Sequence, residues 1–534
     1  MTARTRAAAA FLVCGAAVVP YLSTLNNYFV ADDFGVVALL SEKPASYFPR
    51  WFVSSWMDRI WGTTNDEVRP FPAASYQAMA VWGAASPVAN HILNIALHAA
   101  NALLVLAIGR VAGRLSLAAA TFAALVFALL PFQAESVAWI TGRVDSMPTF
   151  FYLASFLAYA SWTRWHSALA PFDWRYAISL VFFFMALFSK QNAVTLPVAL
   201  VLYDLLVERV SAADLRLRVW SYIPYWLLTG GYLLLRFLVF GEIARESQLS
   251  REGVERAGYF VSRHLRREVF GEVDAASPLA WVVVALAITG VWWLWWRSRL
   301  RAGTPRGGVA AFFGPVWWIL GVAPLVVVAY ESPRHIHLAS AGWAVLLGFG
   351  FDVTMRAGHR KLWRLAVVLA GVAVLGAHGR QLVTSVNDWN ARALVSRRAV
   401  ADLEREALAA PQHSLILVGA PDPSWEFALP FAARPPYARS DLTAHVFLMS
   451  PRQLYCCPEQ WHADTLRILE QWSARPGSAA IALHWDPRTG ALSRLTDREN
   501  PDLRTLLEIL QDVNAPDALD RNIRAILTQL VARP

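Results

Sequence analysis

Residues 90–132 read NHILNIALHAANALLVLAIG, then RVAGR, then LSLAAATFAALVFALLPF. Each apolar run approaches the ~20 residues that cross a hydrocarbon core as a helix, and a short connection with an Arg at each end separates them. The same pattern extends outward in both directions. Further candidate spans lie at roughly 8–26, 147–163, 175–189, 192–207, 219–240, 278–296, 309–330, 338–355 and 362–378, which makes about eleven with the opening pair. Composition agrees. A chain of 534 residues that is 56% hydrophobic and 16% charged, with 24 Trp, is too apolar for an ordinary soluble enzyme. The expected fold is an all-α polytopic membrane protein with a small soluble α/β domain at its C-terminus.

Basic residues give the orientation. Arg4 and Arg6 precede the first span, and Arg110 and Arg114 follow the second. Arg164 and Arg175 follow the fourth, and Arg209, Arg216 and Arg218 the sixth. Arg297, Arg299, Arg301 and Arg306 follow the eighth, and Arg356, Arg360, Lys361 and Arg364 the tenth. These are alternate loops, so the positive-inside rule makes them cytoplasmic, with the N-terminus inside and the C-terminal domain outside. The loop of about 241–277 is external by this count although it holds six Arg. Its seven acidic residues and its length exempt it from the short-loop bias. The net charge of +9 is therefore mostly topology signal, and no basic face interleaved with aromatics points to nucleic acid.

The first 26 residues lack a convincing small-x-small cleavage site and predict a retained anchor. Cys14 and the adjacent Cys456 and Cys457 supply no disulfide framework. The domain boundary falls near 380/381. Beyond it come a charged helical stretch from Trp389 to Leu408 and strand-like runs at Ser414–Val418, His445–Met449 and Ala479–His484. Amphipathic helices are expected at about 464–473, 502–512 and 518–531. No Gly-rich phosphate cradle of the Rossmann or P-loop kind is present.

Unusual polar residues gather on the external side. The first span is followed by Asn27-Tyr28-Phe29-Val30-Ala31-Asp32-Asp33-Phe34. The third ends at Pro131, and Glu135, Trp139, Gly142, Arg143 and Asp145 follow within one short loop. Lys190 tips the hairpin of the fifth and sixth spans. Glu331-Ser332-Pro333-Arg334-His335-Ile336-His337 joins the ninth to the tenth. Acids, Arg, Lys and His converging from separate loops on one face form the pattern of a site. On the second span His91, Asn94, His98 and Asn101 are spaced 3, 4 and 3, a stripe on one helix face. That stripe reads either as interhelical hydrogen-bond glue or as a cavity lining. His91 and His98 are too far apart along the axis, about 10 Å, to share a metal by themselves.

In this order and spacing, Ala31-Asp32-Asp33, Arg69-Pro70-Phe71, His91-x-x-Asn94-x-x-x-His98-x-x-Asn101, Pro131-x-x-x-Glu135-x-Val137-x-Trp139, Gly142-Arg143-x-Asp145, Ser189-Lys190 with Pro197 and Tyr203-Asp204, and Arg334 to Ser340-x-Gly342 carry a resemblance. Over about residues 20–400 the chain resembles the membrane core of the transmembrane and tetratricopeptide-repeat O-mannosyltransferases. It is similar more broadly to bacterial C-type glycosyltransferases of the protein-mannosyltransferase kind. It departs from them at Gln191, where Glu is usual, at His335 and His337, where Tyr is usual, and in lacking the repeats.

The resemblance implies inverting transfer of a sugar, a mannose-like hexose among the candidates, from a polyprenyl-phosphate donor. The acceptor would be a hydroxyl on protein or cell-envelope glycan, at the external leaflet of a bacterial-type inner membrane. Such transfer needs one carboxylate to take the acceptor proton and cations to stabilise the departing phosphate. Asp32 or Asp33 fits the base, and Lys190 and Arg334, with Arg69, fit the phosphate clamp. Glu135, Arg143, Asp145, His91 and His98 are candidates for orienting the acceptor or the loop. Whether the acids hold a divalent cation stays open. Partners implied are the lipid-linked sugar, the acceptor and membrane lipids, with no nucleic acid. A lipid or polysaccharide flippase, or a non-catalytic membrane scaffold, is the alternative; a transporter would favour ionisable groups near the midplane and two matching halves.

Overall fold

Lipid offers the backbone no hydrogen-bond partners, so a buried apolar run must satisfy its own amides, and the helix does so. All eleven apolar runs fall on helices in the computed structural model, which describes residues 2–57, 67–80, 86–165, 173–208, 210, 212–243, 251–271, 277–302, 310–327, 332–358, 360–419, 428–449, 467–468, 471–472, 475 and 480–495. The helices are α1 (Ala3–Val18, continued by a 3-10 turn Val19–Asn26), α2 (Asp33–Ser41), α3 (Pro70–Ala80), α4 (Pro87–Val111), α5 (Leu117–Leu129), α6 (Gln133–Ala138), α7 (Arg143–Trp165) and α8 (Trp174–Leu187). They continue as α9 (Leu196–Tyr203), α10 (Ala212–Phe240), α11 (Arg251–Phe270), α12 (Pro278–Ala302), α13 (Ala310–Val327), α14 (Ala339–Ala357), α15 (Lys361–Ala409) and the short α16 (Leu429–Ala432).

Among the described residues six helical stretches are long and apolar enough to cross a membrane: Ala3–Asn26, Pro87–Val111, Gln191–Glu208, Asp214–Phe240, Pro278–Arg297 and part of Lys361–Ala409. Leu117–Leu129, Trp174–Leu187 and Phe313–Val326 are shorter apolar helices. The chain is an integral membrane protein, and among the described residues six of the eleven expected runs lie on helices of that length and apolarity. The predicted last span and the charged stretch after it are one 49-residue helix, α15.

The chain divides into two compact units: Met1–Leu25, Val68–Pro72 and His91–Trp389 in the first; Asn26–Glu67, Ala73–Asn90 and Asn390–Pro534 in the second. In the first, helix starts are capped by short polar side chains. Ser116 accepts from the Ala119 amide, and Asp173 from those of Arg175 and Tyr176. α13 and α14 press together through glycine: a Cβ at Gly342 would lie 2.7 Å from the Gly314 carbonyl. At the far end of α9 from Lys190, buried Asp204 accepts from Tyr159 (2.7 Å) and Tyr222 (2.6 Å) and pairs with Arg218 at 2.9 Å. This network ties α7, α9 and α10 together.

The second unit holds a four-stranded sheet in the order β2-β1-β3-β4, from Leu415–Gly419 (β1), Phe447–Met449 (β2), Ala480–Asp486 (β3) and Ala491–Leu495 (β4). β1 pairs parallel with β2 and β3, and β3 pairs antiparallel with β4. The three expected strands are present and β4 is an addition. The amphipathic helices expected at 502–512 and 518–531 lie outside the described residues, as do most of that at 464–473 and Cys456 and Cys457.

Candidate functional site

Three connections of the first unit meet at Asp145, in the first turn of α7. The loop before it is folded onto α4. Asn94 Nδ2 faces the carbonyls of Val137, Trp139 and Ile140 at 3.3, 2.9 and 3.2 Å, and its oxygen accepts from Arg143 Nε at 2.9 Å. Asn101 donates to the Ser146 carbonyl at 2.9 Å, and His98 Nε2 lies 3.1 Å from the Ala128 carbonyl. Asn94, His98 and Asn101 thus bond to neighbouring backbone. Among the described residues neither ring nitrogen of His91 has a hydrogen-bond partner. The turn itself requires glycine, because a Cβ at Gly142 would fall 2.3 Å from the Glu135 carbonyl.

On this platform the Lys190 ammonium donates to Asp145 Oδ1 and sits 3.0 Å from His335 Nδ1. The same ring nitrogen is 3.5 Å from Asp145 Oδ1, and Arg334 Nε is 3.4 Å from Oδ2. Glu135 holds the connection that brings Arg334 in: it accepts from Ser332 Oγ at 2.6 Å and from the Arg334 amide at 3.3 Å, with Arg334 Nη1 3.7 Å away. The Arg334 guanidinium lies 4.6 Å over the Trp139 ring, which stacks on Trp389 at 5.7 Å. Asp145 and Lys190 are buried, whereas Arg334 and Glu135 keep about a fifth of their side-chain surface open. The cluster therefore grades from a dry pair to a wetter rim.

Burial alone would raise the Asp145 carboxyl, but Lys190, His335 and Arg334 outweigh it and hold the group well below the usual carboxylate range. Burial, joined by the charge of buried Arg69, lowers Lys190 to about 8 against the pull of Asp145. His335 is depressed to about 3 by burial and by Lys190, so its ring is neutral at physiological pH. The contacts of Glu135 and Arg143 hold loops; those of Asp145 hold cations. Among the described residues no three His, Cys, Asp or Glu side chains gather as a metal site.

Asp32 and Asp33 belong to the second unit. Ala31 takes a left-handed conformation, φ 53°, and turns the chain into α2. Asp33, buried, accepts from the Val30 amide at 3.0 Å; Asp32, half-buried, occupies the N-cap of α2. Tyr437 donates to the Phe34 carbonyl at 2.8 Å, and Ser396 to that of Phe29 at 2.6 Å.

Two residues with no role in the sequence reading stand out. Tyr437 is one. Glu268 on α11 is the other: it is buried, with Oε1 3.0 Å from Ser340 Oγ and 3.3 Å from Trp318 Nε1. Ser340 Oγ also reaches the Ile336 carbonyl at 2.8 Å, and burial raises Glu268 to about 8. The sequence signal available was a Glu at the apolar edge of an amphipathic helix.

No protein-family model matches the chain. Curated relatives do. Protein O-mannosyl-transferase TMTC4 of Homo sapiens is 27% identical over 219 residues, which is 37% of this chain and 29% of the relative. Protein O-mannosyl-transferase TMTC2 of Homo sapiens is 30% identical over 200 residues, 35% and 23% of the two chains. The chain is similar to the protein O-mannosyl-transferases. Drosophila melanogaster Tmtc1, of the same description, is 28% identical over 188 residues, 34% of this chain and 20% of its own. The chain thus spans less than a third of the length of these O-mannosyl-transferase relatives, and the resemblance carried by its ordered polar residues agrees with them. Among solved structures, ArnT from Cupriavidus metallidurans bound to undecaprenyl phosphate aligns with 90% of this chain and 93% of its own, at 14% identity and a TM-score of 0.49. AglB from Archaeoglobus fulgidus, in complex with an inhibitory peptide and a dolichol-phosphate, aligns with 92% and 75% at 11% identity and a TM-score of 0.47.

Proposed function

We propose that the protein is a membrane glycosyltransferase that moves a sugar from a polyprenyl-phosphate donor to a hydroxyl acceptor on protein or cell-envelope glycan, with inversion, at the external leaflet. The observation that carries this reading is the cluster at Asp145. Three cations (Lys190, Arg334 and Arg69) stand with two carboxylates (Asp145 and Glu135), and the His335 ring is neutral, so the named groups have one positive charge in excess. A phosphodiester brings one negative charge and leaves as a monoester with more. Cations held in a partly dry site favour that departure over the bound ground state. Sequence similarity to named O-mannosyl-transferases supports the same chemistry.

In the reaction a carboxylate, Asp32 by preference, removes the acceptor hydroxyl proton. The oxygen attacks the anomeric carbon as the carbon–phosphate oxygen bond breaks, and Lys190 and Arg334 receive the phosphate. Asp145 keeps Lys190 aimed, and His335 Nδ1 lies against both the ammonium and the Asp145 carboxylate. In this reading residues 1–380 form the membrane part and residues 381–534 lie outside, in the inner membrane of a bacterial-type cell. The test incubates purified protein with radiolabelled polyprenyl-phosphate sugars and a membrane extract. Label is expected in the protein or glycan fraction; label that crosses a sealed bilayer without transfer would make the protein a flippase instead.

A further inference from the structure

The Asp32–Asp33 corner is an improbable piece of backbone. Ala31 is not glycine, yet its φ of 53° lies in the left-handed region, where a Cβ crowds the following carbonyl. Its local hydrogen bonds are short-range: Asp33 N to Val30 O at 3.1 Å, Phe34 N to Ala31 O at 3.3 Å, and Val30 N to the Asp33 carboxylate. Strained conformations persist only where the surroundings over-determine them.

Those surroundings come from the far end of the chain. Tyr437 lies edge-on to Phe29 (5.0 Å, 76°) and to Phe34 (4.8 Å, 75°), the two rings that flank the corner. Its hydroxyl donates to the Phe34 carbonyl at 2.8 Å, and its own carbonyl accepts from Tyr28 at 3.3 Å. Ser396 and Arg397 of α15 take the Phe29 and Asn26 carbonyls at 2.6 and 2.8 Å, and Arg397 lies 5.6 Å over the Tyr28 ring. Asn26, Tyr28, Phe29 and Phe34, on the two sides of the corner, are thus held by residues 396, 397 and 437.

We propose that Tyr437 is a positioning residue that holds the Asp32–Asp33 corner in its reactive geometry, so that the sheet-bearing C-terminal segment serves the proposed base rather than acting as a separate docking accessory. This rests on the transferase reading for its kinetic consequence and on geometry alone for the clamp. The Asp33 charge raises the Tyr437 phenol beyond what burial does, as expected of groups this close.

The experiment uses the full chain in lipid nanodiscs and compares wild type, Tyr437→Phe, Tyr437→Ala and Asp32→Asn. Hydrogen exchange is followed in the peptide covering residues 29–37, and transfer kinetics are measured in parallel. Tyr437→Phe keeps the ring and loses one hydrogen bond. It should speed exchange in that peptide alone and lower kcat about fivefold, with donor KM and melting temperature unmoved. Tyr437→Ala should do both more strongly, while Asp32→Asn abolishes transfer and leaves exchange protected. Unchanged exchange in Tyr437→Ala overturns the clamp. Changed exchange in a protein that transfers no sugar in any variant sustains the clamp and removes the transferase reading.

Discussion

Asp32 and Asp33 are neighbours in sequence with different surroundings. Asp33 is buried and spends a carboxylate oxygen on the Val30 amide, so it builds the corner; Asp32 is half-buried at the N-cap. Asp32→Asn should therefore insert and melt normally while losing about 10² to 10⁴ in rate, the usual cost of a lost general base. Asp33→Asn should lower the melting temperature as well as the rate. Near-normal turnover in both variants would move the base elsewhere. For the cations, the Lys190 value of about 8 sets a pH window: the ammonium is charged at neutral pH and loses its proton as pH rises through 8, while Asp145 stays ionised. Transfer at low donor concentration should fall on that limb, and Lys190→Arg should remove the limb. Arg334→Lys should weaken donor use even with the charge kept, because the planar fork bound between Asp145, Glu135 and the Trp139 ring is lost. Initial rates over a pH and donor series check both, and superimposable profiles would take these residues out of the donor site.

At the scale of elements, the apolar helices were readable because lipid demands long unbroken runs, and the cluster was readable because Lys, Arg and Asp beside a bilayer are rare residue types in costly places. What escaped was set by distant partners. β4, Ala491–Leu495, has little strand character of its own and is made a strand by pairing with β3. Tyr437 finds Phe34 across 403 positions, and Glu268 finds Ser340 across 72; no local pattern announces either. α11 gives a direct check. One hydroxyl proton on Ser340 faces two acceptors, the Ile336 carbonyl and Glu268 Oε1. A protonated Glu268 resolves this by donating to Ser340. The groups facing it from α13 and α14 are the Trp318 indole and the Ser340 hydroxyl. Its folded value of about 8 lies above the ordinary 4.5, so the stability it contributes is complete below 4.5 and is lost as pH rises through 8. Melting temperature should fall between about pH 5 and about pH 8, and Glu268→Gln should flatten that slope. A flat wild-type profile would refute a buried neutral acid.

For the whole molecule the prediction is topological. A reporter active only outside the membrane, fused after Asp388, should be on, and one fused at Ala302, among Arg297, Arg299 and Arg301, should be off. The reverse pattern would put the Asp145 cluster on the cytoplasmic side and end the lipid-donor reading. The second unit, meanwhile, is stitched from chain segments that are made at very different times. Phe29 leaves the ribosome 367 residues before Ser396, the residue that takes its carbonyl. At ordinary elongation rates that gap is roughly 20 to 70 seconds. Through that interval the nascent chain carries its acidic corner without the residues that hold it. The proposed chemistry would then become competent only once residues 396–437 have been made, and a ribosome that stalls before them would release an inserted but inert product.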